Sequence, residues 1–326
     1  MSWLELLALL CAGAAAGLIN TVVGSGTLIT FPTLLALGVP PVVANVSNTI
    51  GLAPGSLSGA LSMRAELAGQ RTRVLRLGAA SLIGGIAGAV LLLVLPPAAF
   101  RAIVPALIGI GCLLVIIQPA LSRRLAVRRI RRFRESVLEA DSSDAPLQAG
   151  WDELPLTATD AAPTATDALS AQGSGAASAA SHDALAPGDN TPTASLHAPA
   201  HGSAWLWMGV LLAGVYGGYF GAAQGVLLLA VMGLGISESL VRINAVKNVL
   251  ALIVNGIAGV IFLVLPFTPW ASPEARVDWV AALTIAIGSV LGAQVGGRVG
   301  RRLPPLLYRV VIVCVGIAAI VSLLLK

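Results

Sequence analysis

Long apolar blocks joined by short polar or charged links fill both ends of the chain, and one polar stretch divides them. In the first half the blocks run over about 3–38, 42–62, 77–95 and 99–118. In the second they run over about 205–236, 240–266, 278–297 and 305–325. About 20 apolar residues suffice for a helix to cross a ~30 Å hydrocarbon core, so the pattern predicts membrane-spanning helices. The first block of each half is too long for one span and is interrupted by small polar residues. Asn20-Thr21-Val22-Val23-Gly24-Ser25-Gly26-Thr27 interrupts one, and Gly217 to Gly225 interrupts the other. Clustered glycines destabilise a helix by about 1 kcal/mol each relative to alanine. Each first block is therefore predicted to be two short helices joined by non-helical backbone, which is tolerated at membrane depth only where protein or a water-filled cavity covers it.

The two halves echo each other. LPPAAFR (95–101) returns as LPPLLYR (303–309), an offset of 208. Asn48 answers Asn248 and Gly59 answers Gly259 at an offset of 200, and Gly17-Leu18 answers Gly214-Val215 at 197. The drifting offset reads as one duplicated unit with small insertions. The expected domains are a membrane repeat at 1–121, a basic and then acidic disordered linker at 122–203, and a second membrane repeat at 204–326. The linker opens with seven arginines, Arg123, Arg124, Arg128, Arg129, Arg131, Arg132 and Arg134, and then carries ten acidic residues from Glu135 to Asp189. Its few large apolar residues cannot bury a core.

Arginines decide the expected topology. They concentrate in the links at 64–76, 123–134 and 298–302. If each first block turned back on itself, each half would make an odd number of passes. All three arginine-rich links would then share the cytoplasmic face, as the positive-inside rule requires. The expected fold is thus an all-α polytopic membrane protein of two homologous, inverted repeats. Each would have a broken or re-entrant first segment plus three spans, giving 8 to 10 membrane segments with both termini outside. A parallel arrangement of eight simple spans is the alternative. The N-terminus, MSWLELLALLCAGAAAG, has no basic leader region and is read as a retained membrane helix.

Composition narrows the function. The chain is 56% hydrophobic and 11% charged, against roughly 25% charged in soluble domains. The net charge of +5 sits beside apolar spans and suggests no nucleic-acid partner. Cys11, Cys112 and Cys314 lie inside apolar blocks, while His182, His197 and His201 lie in the polar stretch. No metal site, cofactor or thiol chemistry is expected. No Walker A pattern is present, and no histidine lies in a span to serve a catalytic triad, so an enzyme is not expected.

Polar residues inside the spans are the candidates for chemistry. The second span of the first repeat carries Asn45 and Asn48, and its counterpart carries Arg242, Asn244, Lys247 and Asn248. A charge in the bilayer costs at least ~2.5 kcal/mol. Arg242 can pair with Glu238 at i,i+4, but Lys247 has no carboxylate within helical reach on its C-terminal side. An anionic substrate could supply the missing charge; alternatively Lys247 snorkels or donates to backbone carbonyls. The breaks supply the second part of the site, because helix N-termini bind anions. The candidate substrate-binding residues are therefore Gly24, Ser25, Gly26, Thr27, Asn45, Asn48, Gly221, Gln224, Gly225, Arg242, Lys247 and Asn248. Pro54 and Asn255 are read as a kink and a helix–helix contact, and Gly84, Gly85, Gly88, Gly288, Gly292 and Gly296 as packing faces.

Two stretches carry a resemblance. AGLINTVVGSGTLITFPTLLALGVPPVVANVSNTIGL (16–52) and the weaker copy GVYGGYFGAAQGVLLLAVMGLGISESLVRINAVKNVLALIVNGIAGVIFL (214–263) make the chain similar to the sulfite exporter TauE/SafE family, also called the four-toluene sulfonate uptake permease family. The resemblance implies a bacterial inner-membrane permease for sulfite, organosulfonates or related small anions. Its partners would be that anion, any coupling ion, and the bilayer. The linker is longer than the family pattern, Ser25 replaces a usual glycine, and the second copy has Ala222-Ala223. The competing reading is a non-transporting assembly or signalling subunit acting through the arginine-rich linker.

Overall fold

The computed structural model describes residues 1–143, 204–236, 238–264 and 276–299, together with 310, 312–317 and 320–321. LPPLLYR (303–309), Arg301, Arg302 and the linker from 144 to 203 lie outside the described residues. The described elements are helical: α1 (Trp3–Val22), α2 (Thr27–Ala36), α3 (Pro41–Ser62), a short 3-10 turn (Arg64–Leu67), α4 (Arg71–Val94), α5 (Pro97–Ser143), α6 (Ala204–Tyr219), α7 (Gln224–Gly235), α8 (Leu240–Val264) and α9 (Trp279–Val299). Five helical segments among the described residues are long and apolar enough to cross a membrane: α1, α4, Pro97–Gln118 of α5, α8 and Trp279–Gly297 of α9. Helix α3 has similar length but lower apolarity, because it carries Asn45, Ser47, Asn48, Thr49 and Ser56, all buried. A helix with so many buried polar groups must find partners for them.

The helix breaks fall where the glycines predict. Residues 23–26 separate α1 from α2, and 220–223 separate α6 from α7. The expected two short pieces are unequal in the first half, where α1 has 20 residues and α2 has 10. Both pairs are antiparallel hairpins. Gly26 returns against the backbone of Ala16. In the second hairpin Gly217 faces Gln224, Gly209 faces Val231, and Gly235 faces Trp205. Gly24 (φ 87°) and Gly221 (φ 78°) make the two reversals, a left-handed conformation that a side chain disfavours.

Helices pair across the halves in a reciprocal way. The first helix of each half packs on the fourth helix of the other: α1 on α9, and α6 on α4. Both pairs are parallel: Gly13 meets Ile285 and Gly296 meets Leu18, while Gly84 meets Leu211 and Gly88 meets Tyr219. Small residues let these backbones approach closely. Helix α3 also packs on α9 and α8 on α4. Helices α3 and α8 meet each other antiparallel: Ile50 meets Gly259, Ser56 meets Asn255, and Met63 meets Asn248. Asn255 is thus a helix–helix contact, as its position suggests.

Helix α5 does not stop near residue 121 but continues through the arginines to Ser143. The physical reason is local: after Pro119 the sequence to Ser143 holds no Gly or Pro and is rich in Arg, Leu, Ala and Glu, all good helix formers. The chain divides into a compact unit of Met1–Arg131 with His201–Lys326, and a second unit of Arg132–Ala200. The candidate residues all belong to the first unit.

Candidate functional site

A helix that ends inside a protein leaves its last carbonyls without partners. At the end of α1 the amides of Val23 and Gly24 both donate to the Ile19 carbonyl, at 2.7 and 3.1 Å. The carbonyls of Asn20 and Thr21 are left for side chains, and α8 supplies them. Lys247 Nζ donates to Asn20 O at 2.9 Å and to Thr21 O at 3.4 Å. Asn244 Nδ2 and Asn248 Nδ2 donate to Thr21 O at 3.1 and 3.3 Å, and both also reach Met63 Sδ. Lys247 is fully buried. Its Nζ therefore meets the negative end of the α1 dipole and donates to backbone carbonyls rather than reaching the surface.

The second break is held the same way from the other half. The amides of Phe220 and Gly221 both donate to the Tyr216 carbonyl, at 2.9 and 3.1 Å. The Tyr219 carbonyl then accepts from Asn45 Nδ2 of α3 at 2.9 Å. Each half's second long helix thus caps the break of the other half, one with an ammonium and two amides, the other with an amide. An edge-to-face cluster supports this second break: Phe31 lies 5.0 Å from Phe220, and Phe100 lies 5.6 Å from Tyr219, between ring centroids. The breaks themselves touch, where Gly225 N donates to Gly24 O at 3.0 Å.

The buried polar candidates fall into two layers along α3. Asn48 accepts from the Thr30 hydroxyl and donates to Thr27 Oγ1 at 3.4 Å, in the layer that also holds Asn45. Eight residues along, about 12 Å of helix rise, a small crevice is lined by Asn20, Thr21, Ser56, Gly59, Asn248 and Ala251. There Ser56 Oγ accepts from Asn20 Nδ2 at 3.4 Å and Asn255 Nδ2 at 2.9 Å. Ser25 Oγ and Gln224 Nε2 are buried donors at the two breaks, without hydrogen-bond partners; the Gln224 side chain lies against Gly217.

Arg242 sits apart from these layers. Its Nε lies 3.2 Å from Glu238 Oε2 and its Nη2 donates to Ala68 O at 2.8 Å. Glu238 also holds Arg73 at 3.2 Å, with these side chains 29–38% exposed. Half-exposed ion pairs contribute about 0.2–1 kcal/mol. Glu238→Gln is therefore expected to lower thermal stability by no more than a few degrees in detergent, with the difference fading at high salt.

Sequence reasoning did not find Ser56, Met63 or the two α1 carbonyls. Ser56 carried a signal, as a polar residue about two helical turns beyond Asn48. The carbonyls carried none, because every residue has one.

The family model described as "Sulfite exporter TauE/SafE" matches residues 9–323. No curated protein and no solved structure matches the chain.

Proposed function

The chain belongs to the sulfite exporter TauE/SafE family, and on that premise we propose that it moves sulfite or an organosulfonate by alternating access between two inverted repeats. At the coarser level it is an integral membrane transporter. The finer reading rests on one observation above the others: two broken helices meet at Gly24 and Gly225, and each is capped by the opposite half. Broken helices at a repeat interface are the usual substrate site of such transporters. Donors suited to an oxyanion gather around them. Lys247 uses two of its three N–H groups on carbonyls and keeps a third. Ser25 and Gln224 carry buried donors without partners.

The directions of the helices support inversion. Helices α3 and α8, equivalent in the sequence echo, run antiparallel. Because α9 runs with α3, the C-terminal ends of these two helices fall on one side, and arginines cluster at or beyond both ends, at 64–76 and 298–302. That side is the cytoplasm in this reading, with the linker on it and the bacterial inner membrane as the location. Arg242, paired to Glu238, serves that face rather than the substrate.

Purified protein in proteoliposomes tests the reading against sulfite, sulfoacetate, taurine and thiosulfate, with and without a proton gradient. Saturable flux of at least one of these is expected. Flux that never saturates would indicate a channel, and none for any anion would remove the substrate assignment. A C-terminal reporter should read outside; a cytoplasmic signal would overturn the inverted arrangement.

A further inference from the structure

Where a membrane helix breaks, the carbonyls at its C-terminal end are a ready site for a coupling cation. In this protein that place at the end of α1 holds the Lys247 ammonium, on Asn20 O and Thr21 O. A third oxygen, Asn244 Oδ1, is buried on the same side of α8 without a donor. No carboxylate competes for the ammonium along the helices concerned. Helices α3 and α8 contain none, and the one acid of α1, Glu5, is held at the N-terminal cap by Ser2 N at 2.7 Å. Among the described residues, the other break has no such cation. At the echoed position stands Ser47, whose hydroxyl accepts from the Asp278 amide at 2.8 Å, and the Tyr219 carbonyl is capped by the neutral Asn45.

We propose that Lys247 is a tethered cation that takes the place of a free coupling cation at the α1 break, so that anion transport needs no Na⁺ or K⁺. The proposal rests on the permease reading for its transport consequence but not for its binding consequence. Truncating the side chain should leave an oxygen-lined vacancy that a small free cation can fill. Cation binding to the folded state alone raises its stability by mass action.

The test is thermal unfolding of Lys247→Ala in detergent, in sodium, potassium, ammonium, methylammonium or N-methylglucamine chloride. At least one small cation should raise its midpoint by about 3 °C or more over N-methylglucamine, while the unsubstituted protein does not respond. Lys247→Gln keeps an amide that can donate to the same carbonyls, so it should fold without a cation response. Equal responses in the two variants, or none in Lys247→Ala, would overturn the proposal while leaving the permease reading intact. If Lys247→Ala cannot be purified, flux of the unsubstituted protein decides. Rates unchanged when N-methylglucamine replaces Na⁺ and K⁺ are expected; a tenfold fall would overturn it.

Discussion

Lys247→Met is expected to abolish transport while the protein still inserts and purifies. Methionine matches much of the lysine stem in shape, and exchanging a buried charge for a packed apolar group often leaves stability little changed. Lys247 is fully buried, so the exchange removes a desolvated charge as well as its bonds. What it leaves behind is the pair of α1 carbonyls that the ammonium served. Asn244 and Asn248 still reach Thr21 O, so only Asn20 O loses its described partner. One unsatisfied buried group costs about 1–3 kcal/mol, which a transporter with this much buried helix contact should survive. Transport should respond differently, because the third ammonium proton and the positive charge have no substitute. A fall in flux of at least about 100-fold, equivalent to about 2.7 kcal/mol, is expected in proteoliposomes at equal protein. Flux within a few-fold of the unsubstituted protein would remove Lys247 from the transport site.

Gly24→Ala should be the more damaging change to the fold, and three glycines together say why. Gly24 has φ 87°, and a Cβ there would lie 2.4 Å from Gly225 Cα. It meets both a backbone penalty of about 1–2 kcal/mol and an overpacking cost of about 1–3 kcal/mol. Gly225→Ala meets only the second, since Gly225 lies within helix α7 while its Cβ would also lie 2.4 Å from Gly24 Cα. Gly38→Ala meets only the first, with φ 84° and nothing within 4 Å of the added carbon. Midpoints of thermal unfolding should fall most for Gly24→Ala, less for the other two, and transport should survive only in Gly38→Ala. If Gly24→Ala and Gly38→Ala behaved alike, the backbone contact between the breaks would not matter.

The sequence by itself determined a good deal of this protein. Apolar blocks placed the long helices, because a span needs about 20 apolar residues and little else. Glycine runs placed both breaks, because helix propensity is a local property. The resemblance in residues 16–52 and 214–263 pointed to the family that the match over 9–323 shows. The Glu238–Arg242 pair was legible too, since i,i+4 spacing brings two side chains together without tertiary help.

Only the tertiary structure decided what the buried polar groups do. No local rule joins Lys247 to Asn20, which is 227 residues away, or Asn45 to Tyr219. No local rule parts Asn45 and Asn48 from Lys247 into separate layers. Those outcomes depend on which helices cross and in which direction. They depend also on the requirement that a carbonyl stranded at a helix end find a donor, and that need is met by whichever helix crosses there. The sequence marked where α1 must break; the fold decided that a lysine from the other half would hold the broken end.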